Sequence, residues 1–263
     1  MLRNLFCIFV AGAWTAILFP LTCLAMLVTL DPGVSIWWAR ELWSPVLLWA
    51  GGARLEVTGG ENVDASRPTI YVSNHQSTID IPTLFIALPV RLSLIAKKQL
   101  RYVPALGWYL WIAGHILIDR SNPKTAIASL DEAGRRIRAG ASLIVYPEGT
   151  RSPDGRVLPF KKGPFALALK AGVAVCPVTI EGSGKLMPKN RWTITPGPIR
   201  VQIGKPIDAG AYREDERDRL MRDVRGEIIR QSLAMGGRGG DVDDAIAQRG
   251  REGLGSGEAA ARS

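Results

Sequence analysis

The chain has 263 residues, of which 47% are hydrophobic and 22% charged, and a formal net charge of +9. That composition excludes a disordered chain and fits one catalytic domain of roughly 200 residues with an appendage at either end. The charge favours an anionic partner, while the three cysteines, Cys7, Cys23 and Cys176, lack metal-ligand spacing and argue against both a zinc site and a disulfide framework.

In chain order, Leu5 to Leu30 carries no charge over 26 residues. As a helix it would reach about 39 Å, enough to cross a bilayer with a tilt, and Pro20 predicts a kink within it. A cleaved signal peptide fits less well, because the run is long and no small-x-small site ends it. Asp31-Pro32-Gly33 then makes a turn, and residues 34–49 hold four tryptophans, Trp37, Trp38, Trp43 and Trp49, among only two charges. Such a segment suits a helix at the headgroup level of a membrane, although a core helix of the soluble domain has the same pattern. Residues 1–52 are therefore expected to form a hydrophobic helical hairpin that meets membrane lipids. Flanking charges do not orient it, since Arg3 lies before the first segment and Arg40 and Arg54 beyond it.

After Gly51-Gly52 short apolar runs alternate with amphipathic ones, which defines an α/β domain over residues 53–235. Strands are expected at Ile70 to Ser73, Leu92 to Ala96, Ile116 to Asp119, Leu143 to Tyr146, Val173 to Ile180, Trp192 to Thr195 and Ile199 to Ile203. Asn122-Pro123 opens a helix with Ile127, Leu130, Gly134 and Ile137 on one face, and another begins at Pro164. A third helix, Arg213 to Met235, carries Leu220, Val224 and Ile228 on its apolar side. From Gly236 to Ser263 large apolar residues almost vanish, so a disordered tail is expected.

The most informative stretch is Asn74-His75-Gln76-Ser77-Thr78-Ile79-Asp80. It puts an imidazole at a strand end and a carboxylate about one helical turn later. A carboxylate that accepts from one ring nitrogen fixes the tautomer and leaves the other nitrogen to take a proton from a hydroxyl. The same residues could merely cap a helix. Downstream, Ile118-Asp119-Arg120 aims a guanidinium past a short strand, as a phosphate clamp or as a salt-bridge partner of Asp119 or Asp131. Tyr146-Pro147-Glu148-Gly149-Thr150-Arg151-Ser152 combines a strand end, a glycine, hydroxyls and an arginine, which suits a phosphate monoester. In that turn Arg151 carries the charge and Glu148 positions, although a plain turn has a similar composition. Lys97-Lys98 and Lys161-Lys162 add positive charge that fits a solvated surface, an anionic lipid headgroup or the phosphates of an acyl carrier. His115 and Cys176 have no chemical partner nearby in sequence and read as structural.

With these segments in hand, the chain resembles the lysophosphatidic acid acyltransferases, the 1-acylglycerol-3-phosphate O-acyltransferases of the PlsC type. The first block is Asn74 to Asp80, the second Ile118 to Arg120, the third Pro147 to Ser152 and the fourth Val175-Cys176-Pro177-Val178-Thr179-Ile180, together covering about residues 68–182. The resemblance implies the glycerolipid acyltransferase fold, a central mixed sheet flanked by helices. It implies transfer of an acyl chain from acyl-CoA or acyl carrier protein to the sn-2 hydroxyl of 1-acylglycerol 3-phosphate, giving phosphatidic acid. His75 would be the general base and Asp80 its orienting acid. Arg120, Glu148, Gly149 and Arg151 would hold the phosphate of lysophosphatidic acid, and Pro177 would shape the acyl-donor pocket. No metal and no cofactor are implied, and the active site would face the cytoplasm, where acyl thioesters are made. Gln99 departs from the resemblance, since many relatives carry Glu there. The alternatives are a different lyso-lipid acceptor, such as lyso-ornithine lipid, and a non-catalytic protein that binds anionic lipid and has no need of a His–Asp pair. Nucleic acid is not an expected partner, because no groove-reading motif is present.

Overall fold

The alternation after Gly52 becomes a seven-stranded sheet with helices on both faces. The structure, a computed structural model, describes residues 2–102, 106–118, 132–191 and 193–240. The strands are β1 Ala53–Thr58, β2 Ile70–Ser73, β3 Leu92–Lys97, β4 Ile116–Ile118, β5 Ser142–Val145, β6 Val175–Glu181 and β7 Gly197–Ile203. Their spatial order is β1-β7-β6-β2-β5-β3-β4, parallel throughout except where β7 runs antiparallel to β6. The mixed sheet is therefore as expected. β2 is central, buried at every position, and so carries apolar residues on both faces.

Ile70 and Val72 enter one core and Tyr71 the other, following the two-residue period of a strand. The first core lies beneath helix α6 (132–138), which follows helix α5 (Leu106–Ile112) in the chain, and beneath helix α7 (Gly163–Ala171) and helix α9 (Arg217–Ala234). It takes Ala133, Ile137, Phe165, Leu167, Leu220, Val224 and Ile228. α9 begins four residues later than its amphipathic pattern predicts, because Glu214–Glu216 forms a 3-10 turn. The part of the expected helix at 122–131 lies outside the described residues.

The other core is closed by helix α4 (Asp80–Ala87) and by the N-terminal segment itself. Helix α1 (Leu2–Thr29) runs through Pro20 and folds back on helix α2 (Gly33–Trp38), a π-helical turn (Ala39–Trp43) and helix α3 (Ser44–Gly51). Cys7 Sγ donates to Ala50 O (2.9 Å), Trp14 Nε1 to Leu42 O (2.9 Å) and Trp43 Nε1 to Thr15 Oγ1 (2.9 Å), so the hairpin is antiparallel along its length. The core reading of the tryptophan-rich segment describes one of its faces, and the other is exposed. Ile36, Ala39 and Leu48 are core, while Trp37 and Trp49 are exposed. α1 buries Cys7, Leu18, Thr22 and Met26 and leaves Leu5, Phe9, Ile17, Leu21, Leu24 and Val28 exposed. It is the one helix among the described residues that is long and apolar enough to cross a membrane.

Two strand expectations need correction. β1 was not legible, because Arg54 and Glu56 interrupt its apolar residues; as an edge strand it needs little burial, and Glu56 pairs with Arg200 of β7 at 3.3 Å. Trp192 to Thr195 was expected to pair as a strand, but residues 193–195 are irregular. The Ile194 N–H donates to Asn4 Oδ1 (3.1 Å), which ties this segment to α1 instead of the sheet. At the other end, residues 236–240 are held against the domain. Gly239 O accepts from the Val157 N–H (2.7 Å) and Gly240 O from Arg156 Nη1 (3.0 Å). Residues 241–263, the rest of the expected tail, lie outside the described residues.

Candidate active site

The end of β2 is pinned before the site begins. Asn74 Nδ2 donates to Ile180 O (2.9 Å) and its Oδ1 accepts from the Ile180 N–H (2.8 Å), which extends the β2–β6 pairing by one side chain. The chain then turns tightly so that three donors converge on a single oxygen. Asp80 Oδ2 accepts from His75 Nδ1 and from the backbone N–H groups of Gln76 and Ser77, each at 2.8 Å. Asp80 is fully buried at the first turn of α4, where the helix dipole also favours a carboxylate. With two N–H groups already facing it, Oδ2 can only accept, so Nδ1 carries the proton and Nε2 is left as a base. The His75 ring lies on that of Tyr146, with centroids 4.1 Å apart and planes at 21°. Asp80 Oδ1 has no partner among the described residues.

The third block reaches this turn because β5 is β2's neighbour. Val72 pairs with Val145, and the parallel register carried three residues further sets His75 beside Glu148. The His75 N–H donates to Glu148 Oε1 (3.0 Å), the Ser152 N–H donates to His75 O (2.7 Å), and Arg151 Nη1 donates to Thr78 Oγ1 (2.9 Å). Gly149 has φ +73°, a left-handed conformation that favours glycine, and the Lys161 side chain lies over it, with Nζ 2.8 Å from where a Cβ would be.

The structure thus brings together His75, Asp80, Glu148, Gly149 and Arg151. Glu148 does not face outward as a phosphate ligand would. It is 6% exposed and turned toward the His75 backbone, where it satisfies a buried N–H. Arg120 lies outside the described residues. Pro177 sits in the middle of β6, buried, with its ring and carbonyl against Gly204. His115 is structural, as expected: its Nδ1 accepts from the Leu94 N–H (3.2 Å), and burial pushes its pKa down to about 4.

Sequence reasoning missed Glu181 and Tyr146. Glu181 Oε2 accepts from Gln76 Nε2 (3.1 Å) and its Oε1 from Ser232 Oγ (2.6 Å), which ties the His75 turn to the end of α9. Its place one residue past the fourth block was the only signal. Tyr146 had none, since stacking on His75 depends on the β2–β5 register.

Two apolar cavities open between α1 and the domain, and Trp43 lines both. One, of about 250 Å3, includes Phe19, Phe85, Leu94 and Tyr109; the other, of about 240 Å3, includes Ile8, Leu47, Thr78, Ile79 and Met187. Thr78 places the second cavity next to Arg151. Pro177 lines neither.

Burial pushes the Glu148 carboxyl up from 4.5 to about 8, only partly opposed by its bonds from the His75 and Leu158 N–H groups. Between those values the folded protein holds a proton that the unfolded chain has released. The stability this contributes is complete below 4.5 and is lost as the pH rises through about 8. Glu148→Gln keeps an acceptor for the His75 N–H and removes the titration. Scanning fluorimetry should show the wild-type thermal midpoint falling relative to that of the variant between about pH 5 and about pH 9. A constant difference would mean that Glu148 is already ionised in the folded state.

The α/β sheet thus presents a carboxylate-oriented histidine at a strand end, beside an arginine and an apolar cavity. The Acyltransferase family model matches residues 54–181. The chain belongs to this family, which agrees with the resemblance carried by its four blocks. It is 33% identical over 192 residues to the human 1-acyl-sn-glycerol-3-phosphate acyltransferase alpha, covering 72% of this chain and 68% of the human one. It is 38% identical over 169 residues to a chloroplastic 1-acyl-sn-glycerol-3-phosphate acyltransferase of Brassica napus, covering 64% of this chain and 48% of the plant one. The chain thus spans about half the length of that plant relative. The crystal structure of the 1-acyl-sn-glycerophosphate acyltransferase PlsC from Thermotoga maritima superposes with a TM-score of 0.79 at 31% identity, covering 90% of this chain and 96% of the other.

Proposed function

We propose that the protein transfers an acyl chain from acyl-CoA or acyl carrier protein to the sn-2 hydroxyl of 1-acylglycerol 3-phosphate, making phosphatidic acid. The observation that carries this reading is the three-donor clamp on Asp80 Oδ2, which leaves His75 Nε2 as the base at the third-block turn. Nε2 takes the proton of the acceptor hydroxyl as its oxygen attacks the thioester carbonyl. A C–O bond forms and the carbonyl π pair moves to oxygen. When the oxyanion collapses the C–S bond breaks, and the imidazolium returns the proton to the leaving thiolate as thiol. Asp80 stabilises the imidazolium between the two proton transfers. No protein nucleophile is needed. Cys176, buried and with its pKa pushed up to about 12, is unsuited to be one.

Arg151, together with Arg120, supplies the charge for the acceptor phosphate, and Gly149 lets the backbone approach it closely. Pro177 acts through the packing of β6. The names of the relatives support this acceptor. Mass spectrometry of the products formed from a panel of lyso-lipids tests it: phosphatidic acid should dominate, and acylation of lyso-ornithine lipid in its place would reassign the acceptor.

The exposed apolar face of α1 supports membrane attachment. Because α1 is bonded along Cys7 to Thr15 to the second arm of the hairpin, and through Asn4 to Ile194 of the domain, it does not stand free to cross a bilayer alone. We therefore place it within one leaflet, on the cytoplasmic side where acyl thioesters are made. In a chain whose native cysteines are replaced, Leu2→Cys and Leu30→Cys should both react with an impermeant thiol reagent from the cytoplasmic side only. Labelling from opposite sides would establish a crossing helix.

A further inference from the structure

Three cations gather on three consecutive residues of the third-block turn. Arg151 lies in it, with Nη1 bonded to Thr78 Oγ1. Lys161 Nζ lies over Gly149. Lys189, from the segment after the short helix α8 (Ser183–Leu186), donates Nζ to Thr150 Oγ1 (3.1 Å) and to Arg151 O (2.7 Å). None of the three makes an ion pair with a described carboxylate, whereas the neighbouring Lys162 pairs with Asp218 at 2.7 Å. Glu148 offers them no compensation, because it is buried and bonded to the His75 backbone. With no described carboxylate paired to them, these charges favour an anion bound at the turn.

The same place is also the polar mouth of an apolar cavity. Thr78 and Met187, the latter two residues before Lys189, line the cavity of about 240 Å3 beneath α1. A ligand that fits both features has a phosphate monoester on the cations and a hydrocarbon chain in the cavity. Lys189 lies beyond residues 54–181, so the family match carries no information about it.

We propose that Lys189 is a further phosphate-binding residue of the acceptor site, closing with Arg151 and Lys161 a three-cation cradle for the phosphate monoester of the acyl acceptor. The assignment rests on the acyltransferase reading given above. Lys189 is half-buried and held by two oxygens, so its ammonium is placed before substrate arrives.

The test uses the full chain in detergent micelles, with wild type, Lys189→Ala and Lys189→Arg. Kinetics with 1-acylglycerol 3-phosphate should show Lys189→Ala raising the acceptor KM about 10-fold or more, the size of one lost charge-assisted hydrogen bond, with kcat, donor KM and thermal midpoint nearly unchanged. Lys189→Arg should recover most of the affinity. Calorimetric titration with glycerol 3-phosphate, which needs no turnover, should show a matching loss for Lys189→Ala. Unchanged glycerol 3-phosphate affinity would overturn the proposal. So would a fall in kcat and thermal midpoint at constant acceptor KM, since Lys189 would then only brace the turn. If wild type fails to acylate the acceptor, the acyltransferase reading fails separately, and the titration still decides whether Lys189 binds the phosphate.

Discussion

Replacing His75 with alanine is expected to lower acceptor-dependent acyl transfer by about 10^2- to 10^4-fold while leaving the protein folded. The His75 side chain is 17% exposed and its main contact is the face of Tyr146, so truncation removes little core. Asp80 Oδ2 keeps the Gln76 and Ser77 N–H groups and stays satisfied as a buried carboxylate. The loss should therefore fall on kcat, with the acceptor KM and thermal midpoint close to wild type. Steady-state kinetics and a melting curve on the same preparation check this, and a variant that keeps more than about a tenth of the wild-type kcat would remove His75 from the proton path.

Substitution of Asp80 should cost both activity and stability, to a degree that depends on the replacement. Asp80→Ala orphans His75 Nδ1 and two backbone N–H groups at a fully buried position, each at about 1–3 kcal/mol. That variant should unfold well below the wild type. Asp80→Asn can keep an oxygen toward the three donors, at the cost of burying an amide N–H2 where Oδ1 already lacks a partner. It should fold, yet lose activity on the scale of the His75 variant, because a neutral amide no longer stabilises the imidazolium. Comparing kcat and thermal midpoint for the two variants separates these effects. Equal thermal midpoints would show that the clamp on Oδ2 contributes little to folding.

What could be read from the sequence was whatever depends on nearby residues. His75 and Asp80 are five positions apart, and a strand end followed by a helix start dictates their meeting. The central strands were legible because burial on both faces makes them continuously apolar. The roles of Glu148 and Tyr146 follow instead from the pairing of β2 with β5, which no local pattern encodes. Hence Glu148 reads as a positioning group within its own turn, and the group it bonds, the His75 N–H, belongs to a neighbouring strand end. Trp192 to Thr195 has strand propensity, but docking of its irregular remainder on Asn4 decides its conformation, an instance of tertiary contact overriding local preference. The tryptophan-rich segment was ambiguous for a physical reason: a helix with core on one face and an exposed apolar surface on the other has the sequence pattern of either reading.

The central claim is direct attack of the acceptor hydroxyl on the thioester under the control of His75. It is tested most directly by measuring thiol release from acyl-CoA and from acyl carrier protein thioester, with and without 1-acylglycerol 3-phosphate, while counting the phosphatidic acid formed. Release only when acceptor is present, one thiol for each phosphatidic acid, is the predicted result, and the productive thioester identifies the donor. A stoichiometric burst of thiol without acceptor, leaving the acyl group on the protein, or no release with either donor, would contradict it.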